Sequence, residues 1–220
     1  MARWRNGNAA VCKTAMRRFD SCPCLTLMKT KNILFIHGFG GGLYEFKPIK
    51  EFLRKELGEE IEFFDFIYKE KFGHIKLEKV AEQLKTFIEN NLSDKDFSVI
   101  AISQGGIVWR IFALKNNLLI KKVRKVFTLC TPHTGSVLAY LLHLPGIKDL
   151  RKNSQTLKEI NEHDDGLEYY SIYNPLDLMV FPGRNAIYKK AKINKRVFDW
   201  FHPLTFWNKK TLAFIKEILD

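Results

Sequence analysis

Short, mostly apolar runs alternate along this chain with longer stretches in which apolar residues recur every three or four positions. The short runs are Ile33-Leu34-Phe35-Ile36, Ile61–Ile67, Phe97–Ile102, Val123–Leu129, Leu167–Tyr173 and Val197–Trp200. Runs of this length with no polar face are expected of strands covered on both sides, as in a parallel sheet. The helical period occupies about Leu43–Leu57, Lys76–Asn91, Ile107–Leu114, Val137–Leu144, Asn153–Glu162 and Lys209–Leu219. In the second of these it is carried by Leu77, Val80, Leu84, Phe87 and Ile88. The apolar stretch Val137–Leu144 is expected to form a helix that stops at Pro145-Gly146. Strands alternating with helices at this spacing predict an α/β fold, with a mostly parallel central sheet of about six strands and helices on both faces.

Within that pattern one junction stands out: Val99-Ile100-Ala101-Ile102-Ser103-Gln104-Gly105-Gly106 runs from a strand directly into a helix. The string small-x-Ser-x-Gly belongs to a turn so tight that a bulky side chain two residues either side of the serine meets the neighbouring backbone. Such a turn exposes the serine Oγ and leaves nearby backbone N–H groups free.

Composition narrows the class. Of 220 residues, 46% are hydrophobic and 27% charged, which is ordinary for a globular protein, and the length suits one domain with a sizeable core. No apolar run approaches the roughly 20 residues of a membrane span. The formal charge of +12 is concentrated in part near the start, where Arg3, Arg5, Lys13, Arg17, Arg18 and Lys29 face only Asp20. Elsewhere the basic residues are interleaved with glutamates and form no stripe, so they are read as solvated surface and no nucleic-acid partner is expected. Residues 1–27 have no hydrophobic period and no apolar core of secretory-signal length, and are expected to be a non-native or disordered leader before a single domain over 28–220. Cys12, Cys22, Cys24 and Cys130 make no disulfide framework, which points to a reducing, cytoplasmic setting. Cys22-Pro23-Cys24 lacks the second pair or histidine that a metal site needs.

In an open parallel sheet the chemistry gathers at the carboxyl ends of the strands. There the chain places His37-Gly38-Phe39-Gly40, then Ser103, then Asp177, then His202. These strings, with Thr131-Pro132-His133-Thr134-Gly135-Ser136 and Asp177-Leu178-Met179-Val180, resemble a small α/β-hydrolase of the lipase/esterase group. The resemblance implies Ser103 as nucleophile, His202 as base and Asp177 as the acid that orients it, with the backbone N–H groups of Phe39 and Gln104 as oxyanion hole. Ala101 stands where the group usually has glycine, and the short chain implies a reduced lid around residues 137–166.

The chemistry suits these residue types. Serine becomes nucleophilic only when a histidine takes its proton, and the histidine needs a carboxylate to hold its tautomer. Asp164, Asp165 and Glu168 compete with Asp177 for that last role. His37 and His133 are read as structural, and His74 and His163 as surface residues. An acyl chain needs apolar walls, for which Leu138, Leu141, Leu142 and Val180 are the candidates. The expected activity is hydrolysis of small acyl esters or lipids through an acyl-enzyme, with no metal or organic cofactor. An acyltransferase or thioesterase on the same residues, or a lipid-binding protein without catalysis, are the alternatives. The sequence does not specify the oligomeric state.

Overall fold

The computed structural model describes residues 31–68 and 73–220. The leader expected over residues 1–27 lies outside the described residues. Six strands form one sheet: β1 (Lys31–Ile36), β2 (Ile61–Phe66), β3 (Phe97–Ile102), β4 (Val123–Leu129), β5 (Tyr169–Tyr173) and β6 (Ile193–Arg196). They lie in the order β2-β1-β3-β4-β5-β6, and every pairing is parallel. Helices α1 (Leu43–Leu57), α2 (Leu77–Asn91), α3 (Gln104–Lys115), α4 (Pro145–Lys148), α5 (Gln155–Glu162), α6 (His202–Trp207) and α7 (Lys209–Leu219) make the connections.

The absence of polar alternation in the central strands follows from their position. β3 is buried at all six residues, with Val99 and Ala101 facing one apolar cluster and Ile100 and Ile102 the other. On the first face, Leu84 and Ile88 of α2 and Trp109 and Phe112 of α3 close over the sheet. On the second, Phe46 and Ile49 of α1 and Phe214 and Ile215 of α7 do so. Each large side chain buried this way stabilises the fold by about 1.5–3 kcal/mol.

Strand order reverses between β1 and β3. β1 has β2 on one side and β3 on the other, with Ile33 opposite both Phe63 and Ser98. The two connections therefore leave in opposite directions and open a crevice at the carboxyl ends of β1 and β3, the place where α/β sheets bind ligands.

Three expectations need correction. The last strand is Ile193–Arg196, immediately before the apolar run at Val197–Trp200. β6 is an edge strand, and edges tolerate polar residues such as Asn194, Lys195 and Arg196. Val197 still bonds through its N–H to Tyr173 O at 2.9 Å, but Phe198 and Trp200 face outward. The stretch Val137–Leu144 is not one helix. A single 3₁₀ turn spans Val137–Tyr140, capped by Ser136, whose Oγ accepts from Leu138 N at 3.3 Å. Arg151 then donates to the carbonyls of Ala139 (2.9 Å) and Leu142 (3.0 Å), which continued helix would have used. Pro145 opens α4 instead of ending a helix, because its missing N–H costs nothing in a first turn. Residues His202–Trp207 form α6, with Pro203 likewise in the first turn.

Among the described residues, no helix is long and apolar enough to cross a membrane.

Candidate active site

Ser103 links β3 to α3 with φ 49°, ψ −120°, a left-handed conformation that costs a non-glycine residue on the order of 1–3 kcal/mol. It is held there by its N–H, which donates to Leu129 O at 2.7 Å, and by helix α3 beginning at the next residue. The small residues around it are demanded by close approach. A Cβ on Gly105 would stand 2.5 Å from the carbonyl oxygens of Ile36 and His37, and one on Gly38 3.1 Å from Ser103 Cβ. The end of β1 and the start of α3 thus touch through backbone.

The loop after β1 carries Phe39 beside the serine. Gly38 N–H donates to Glu45 Oε2 at 3.2 Å, whereas neither the Phe39 nor the Gln104 N–H has an acceptor among the described residues. The N-terminal end of α3 adds its positive pole at the same point. His37 anchors the loop from behind: its Nε2 accepts from Tyr68 N at 3.1 Å and its Nδ1 bonds Gly38 O at 2.7 Å. Burial lowers its pKa, the two backbone bonds opposing the shift.

Asp177 follows β5 and His202 opens α6. Their side chains meet, Asp177 Oδ2 accepting from His202 Nδ1 at 2.6 Å. Asp177 Oδ1 accepts from the N–H groups of Met179 (2.9 Å) and Val180 (3.0 Å). Burial alone would raise this carboxyl, and it is the largest single influence. The His202 bond and charge, the Val180 N–H and the Cys130 thiol together outweigh it and hold the pKa below the ordinary value. The competing acids are engaged elsewhere: Asp165 with Tyr169, Glu168 with Tyr170 and Lys192, and Asp164 with Gly166 N.

Phe39, Ser103 and Gln104 line a cavity of about 350 Å³, and Leu138, Leu141, Leu142 and Val180 form part of its apolar wall. Asp177 and His202 do not line it. The Gln104 side-chain amide is buried, with neither Oε1 nor Nε2 hydrogen-bonded among the described residues.

Three residues of the site were not singled out from the sequence. Asn174 ties the Asp177 and His202 loops together: its Nδ2 donates to Asp199 O (2.8 Å) and Thr205 Oγ1 (3.2 Å). Cys130, fully buried with φ 48°, sets its thiol against Asp177. Burial, and then the Asp177 charge, push that thiol well above its usual pKa, so it remains a donor. Cys130, Asp177 and His202 offer donor atoms within 4.8 Å of one another, but the carboxylate already accepts from both neighbours. That is a hydrogen-bonded cluster, not an open ligand set. Glu45, 6% exposed on α1, reaches back under the loop after β1. No sequence signal marks these three, since each acts across elements distant in the chain.

His133 is structural, as expected. Arg110 Nη1 donates to its Nδ1 at 3.2 Å, and Nη2 to Ile160 O at 2.5 Å and Asn161 Oδ1 at 2.9 Å. Burial, then the Arg110 charge, keep His133 neutral, well below the usual imidazole pKa.

The model of one sequence family, described as palmitoyl protein thioesterase, matches residues 32–175. The chain belongs to the palmitoyl protein thioesterase family. That match includes Phe39, Ser103, Gln104 and the Leu138–Leu142 wall and ends before Asp177. Solved structures similar to this family member include lipases. A Bacillus licheniformis lipase in mature form is 18% identical over 87% of this chain and 93% of its own, with a TM-score of 0.66. An Aspergillus fumigatus lipase B is 15% identical over 86% of this chain and 52% of its own, with a TM-score of 0.71. A Paleococcus ferrophilus monoacylglycerol lipase is 14% identical over 87% and 94%, with a TM-score of 0.65. These likenesses are of fold, and comparison with curated proteins found no match. The palmitoyl protein thioesterase family member is thus a hydrolase of the lipase, esterase and thioesterase type on the α/β-hydrolase fold.

Proposed function

We propose that this chain cleaves acyl esters and thioesters through a covalent acyl-Ser103 intermediate, with His202 as base and Asp177 orienting it. The observation that carries the reading is the strained Ser103, lining an apolar cavity beside two backbone N–H groups without an acceptor among the described residues. Ser103 Oγ attacks the acyl carbonyl while His202 takes its proton, and Asp177 stabilises the imidazolium that forms. The tetrahedral oxyanion is met by the N–H groups of Phe39 and Gln104, which need no reorganisation. His202 then returns the proton to the departing alkoxide or thiolate, and water releases the acid by the reverse route. Leu138, Leu141, Leu142 and Val180 shed water around the acyl chain. Residues 137–166 serve as a short lid over it. The family match favours a thioester among the substrates.

The test is hydrolysis of a nitrophenyl ester chain-length series and of a palmitoyl thioester, with a thiol reagent reporting release. Ser103→Ala is expected to lose on the order of 10⁶-fold in turnover, and a fluorophosphonate should label Ser103 alone. Turnover surviving in the purified variant, or label on another serine, would overturn the assignment.

A further inference from the structure

The loops leaving the carboxyl ends of β4, β5 and β6 expose an unusual number of large apolar side chains. Leu141, Leu178, Met179, Phe198, Trp200 and Phe201 are each between 55% and 81% exposed. Because all strands are parallel, these loops share the edge of the sheet that carries Ser103, and Leu141 and Met179 also line the cavity. Scattered apolar surface residues need no explanation, but a concentration of them at the end of the sheet where the cavity lies marks a surface that meets something apolar.

The charge of the same loops says what kind of surface. Lys148, Lys152, Arg184 and Arg196 are exposed there and make no ion pair among the described residues. Arg196 lies over the ring of Phe198 and Arg151 over that of Tyr140, each with Cζ 5.2 Å from the centroid. The acids nearest these apolar side chains in the chain are engaged in hydrogen bonds: Asp149 accepts from Leu77 N and Thr156 Oγ1, Asp199 from Trp200 N and Asn208 Nδ2, and Asp177 from His202, while the exposed Glu159, Glu162, Asp164 and Glu168 lie farther along the β4–β5 connection, in α5 and just before β5. The rim is therefore apolar with a positive margin. Two copies of such a rim would repel each other, whereas a bilayer bearing anionic headgroups complements both features.

We propose that this face docks on an anionic lipid membrane, with Phe198 and Trp200 entering the interface and Arg196 and its basic neighbours pairing with headgroup phosphates and carboxylates. Docking would turn the cavity mouth toward the lipid, so that an acyl chain passes from bilayer to Ser103 without crossing water. The basic surplus, read from the sequence as solvated surface, acquires a partner here.

The full chain would be sedimented with vesicles of phosphatidylcholine, alone or with about one-third phosphatidylserine. Binding should favour the anionic vesicles and weaken with salt. Phe198→Ser with Trp200→Ser should reduce binding on the order of tenfold per side chain. Arg196→Gln should reduce binding to the anionic vesicles alone, by roughly fivefold. Neither set touches the proposed chemistry, so hydrolysis of a soluble short-chain ester and the melting temperature should stay at wild-type level. Wild-type protein that does not bind vesicles, or binding that is equal in the Phe198/Trp200 double variant, overturns the proposal. So does a dimer that the rim variants convert to monomer, which would make the face a contact between copies. A chain inactive on soluble ester yet bound to vesicles would refute the catalytic reading and leave the docking surface standing.

Discussion

Asp177 divides its two oxygens between different tasks, one accepting from backbone N–H groups of its own loop and one from His202. An amide can keep the first task and fail the second, because in the proposed mechanism the carboxylate fixes the imidazole tautomer that offers a free nitrogen to Ser103. Asp177→Asn is therefore expected to stay folded, by circular dichroism, and to lose about 10⁴-fold in turnover. Combining it with His202→Ala should cost scarcely more than His202→Ala alone, since the carboxylate works through the ring. Glu45 makes the opposite case. Burial raises its pKa, only partly opposed by the Gly38 N–H, the His202 charge and the Gly42 N–H. An acid whose folded pKa is raised leaves stability intact below its unfolded pKa and subtracts from it as pH rises through the folded one. Glu45→Gln keeps an acceptor for Gly38 N–H without the buried charge. Thermal melts should show the variant gaining stability over wild type at pH 8 and losing that advantage at pH 4.

At the scale of elements, the crossing of β1's end with the first turn of α3 sets where Ser103 points. The approach is backbone to backbone, with no flexible side chain to yield, so a methyl group at residue 105 must push α3 away from Ile36 and His37. Gly105→Ala should destabilise by about 3 kcal/mol, measured by urea unfolding. It should also lower turnover, because Gln104 N–H and Ser103 move with the helix. The Val137–Leu144 stretch teaches a different lesson. Its apolar residues recur as in a helix, yet Val137, Tyr140, Leu141 and Leu142 are all exposed among the described residues, Leu141 at 74%. A helix needs its apolar face buried to persist, and without that the backbone takes a capped 3₁₀ turn that leaves those side chains to the cavity mouth and its rim.

For the whole molecule, the sheet acts as a partition. Side chains on its two faces form separate apolar clusters, Ile88 of α2 belonging to one and Ile49 of α1 to the other. Ile49→Val and Ile88→Val should each cost about 1 kcal/mol, and the double variant their sum to within roughly 0.5 kcal/mol, because the two sites share no partner. Urea unfolding of the two single variants and the double one checks this. A marked excess in the double variant would mean that strain passes through the sheet. The same partition confines the chemistry to one edge, leaving both faces to stability.

Much of this protein was determined by local sequence. Periodicity alone placed five of the six strands and most of the helices, because a parallel strand buried on both faces has no way to be other than a short apolar run. The order of His37-Gly38-Phe39, Ser103, Asp177 and His202 along the chain was legible too, although His202 opens α6 beyond the end of β6 instead of following a strand directly. Tertiary structure decided the rest. Which acid meets His202 depended on Asn174 joining two loops, and no spacing in the sequence records that bond. The location of β6 depended on an edge that accepts Asn194 and Lys195, against an adjacent run of greater hydrophobicity. Cys130 and Glu45 entered the site only because β4 and α1 bring them under it. A residue's propensity is carried by its neighbours in sequence, whereas desolvation and hydrogen bonding are set by neighbours in space, and these become known only when the chain has folded.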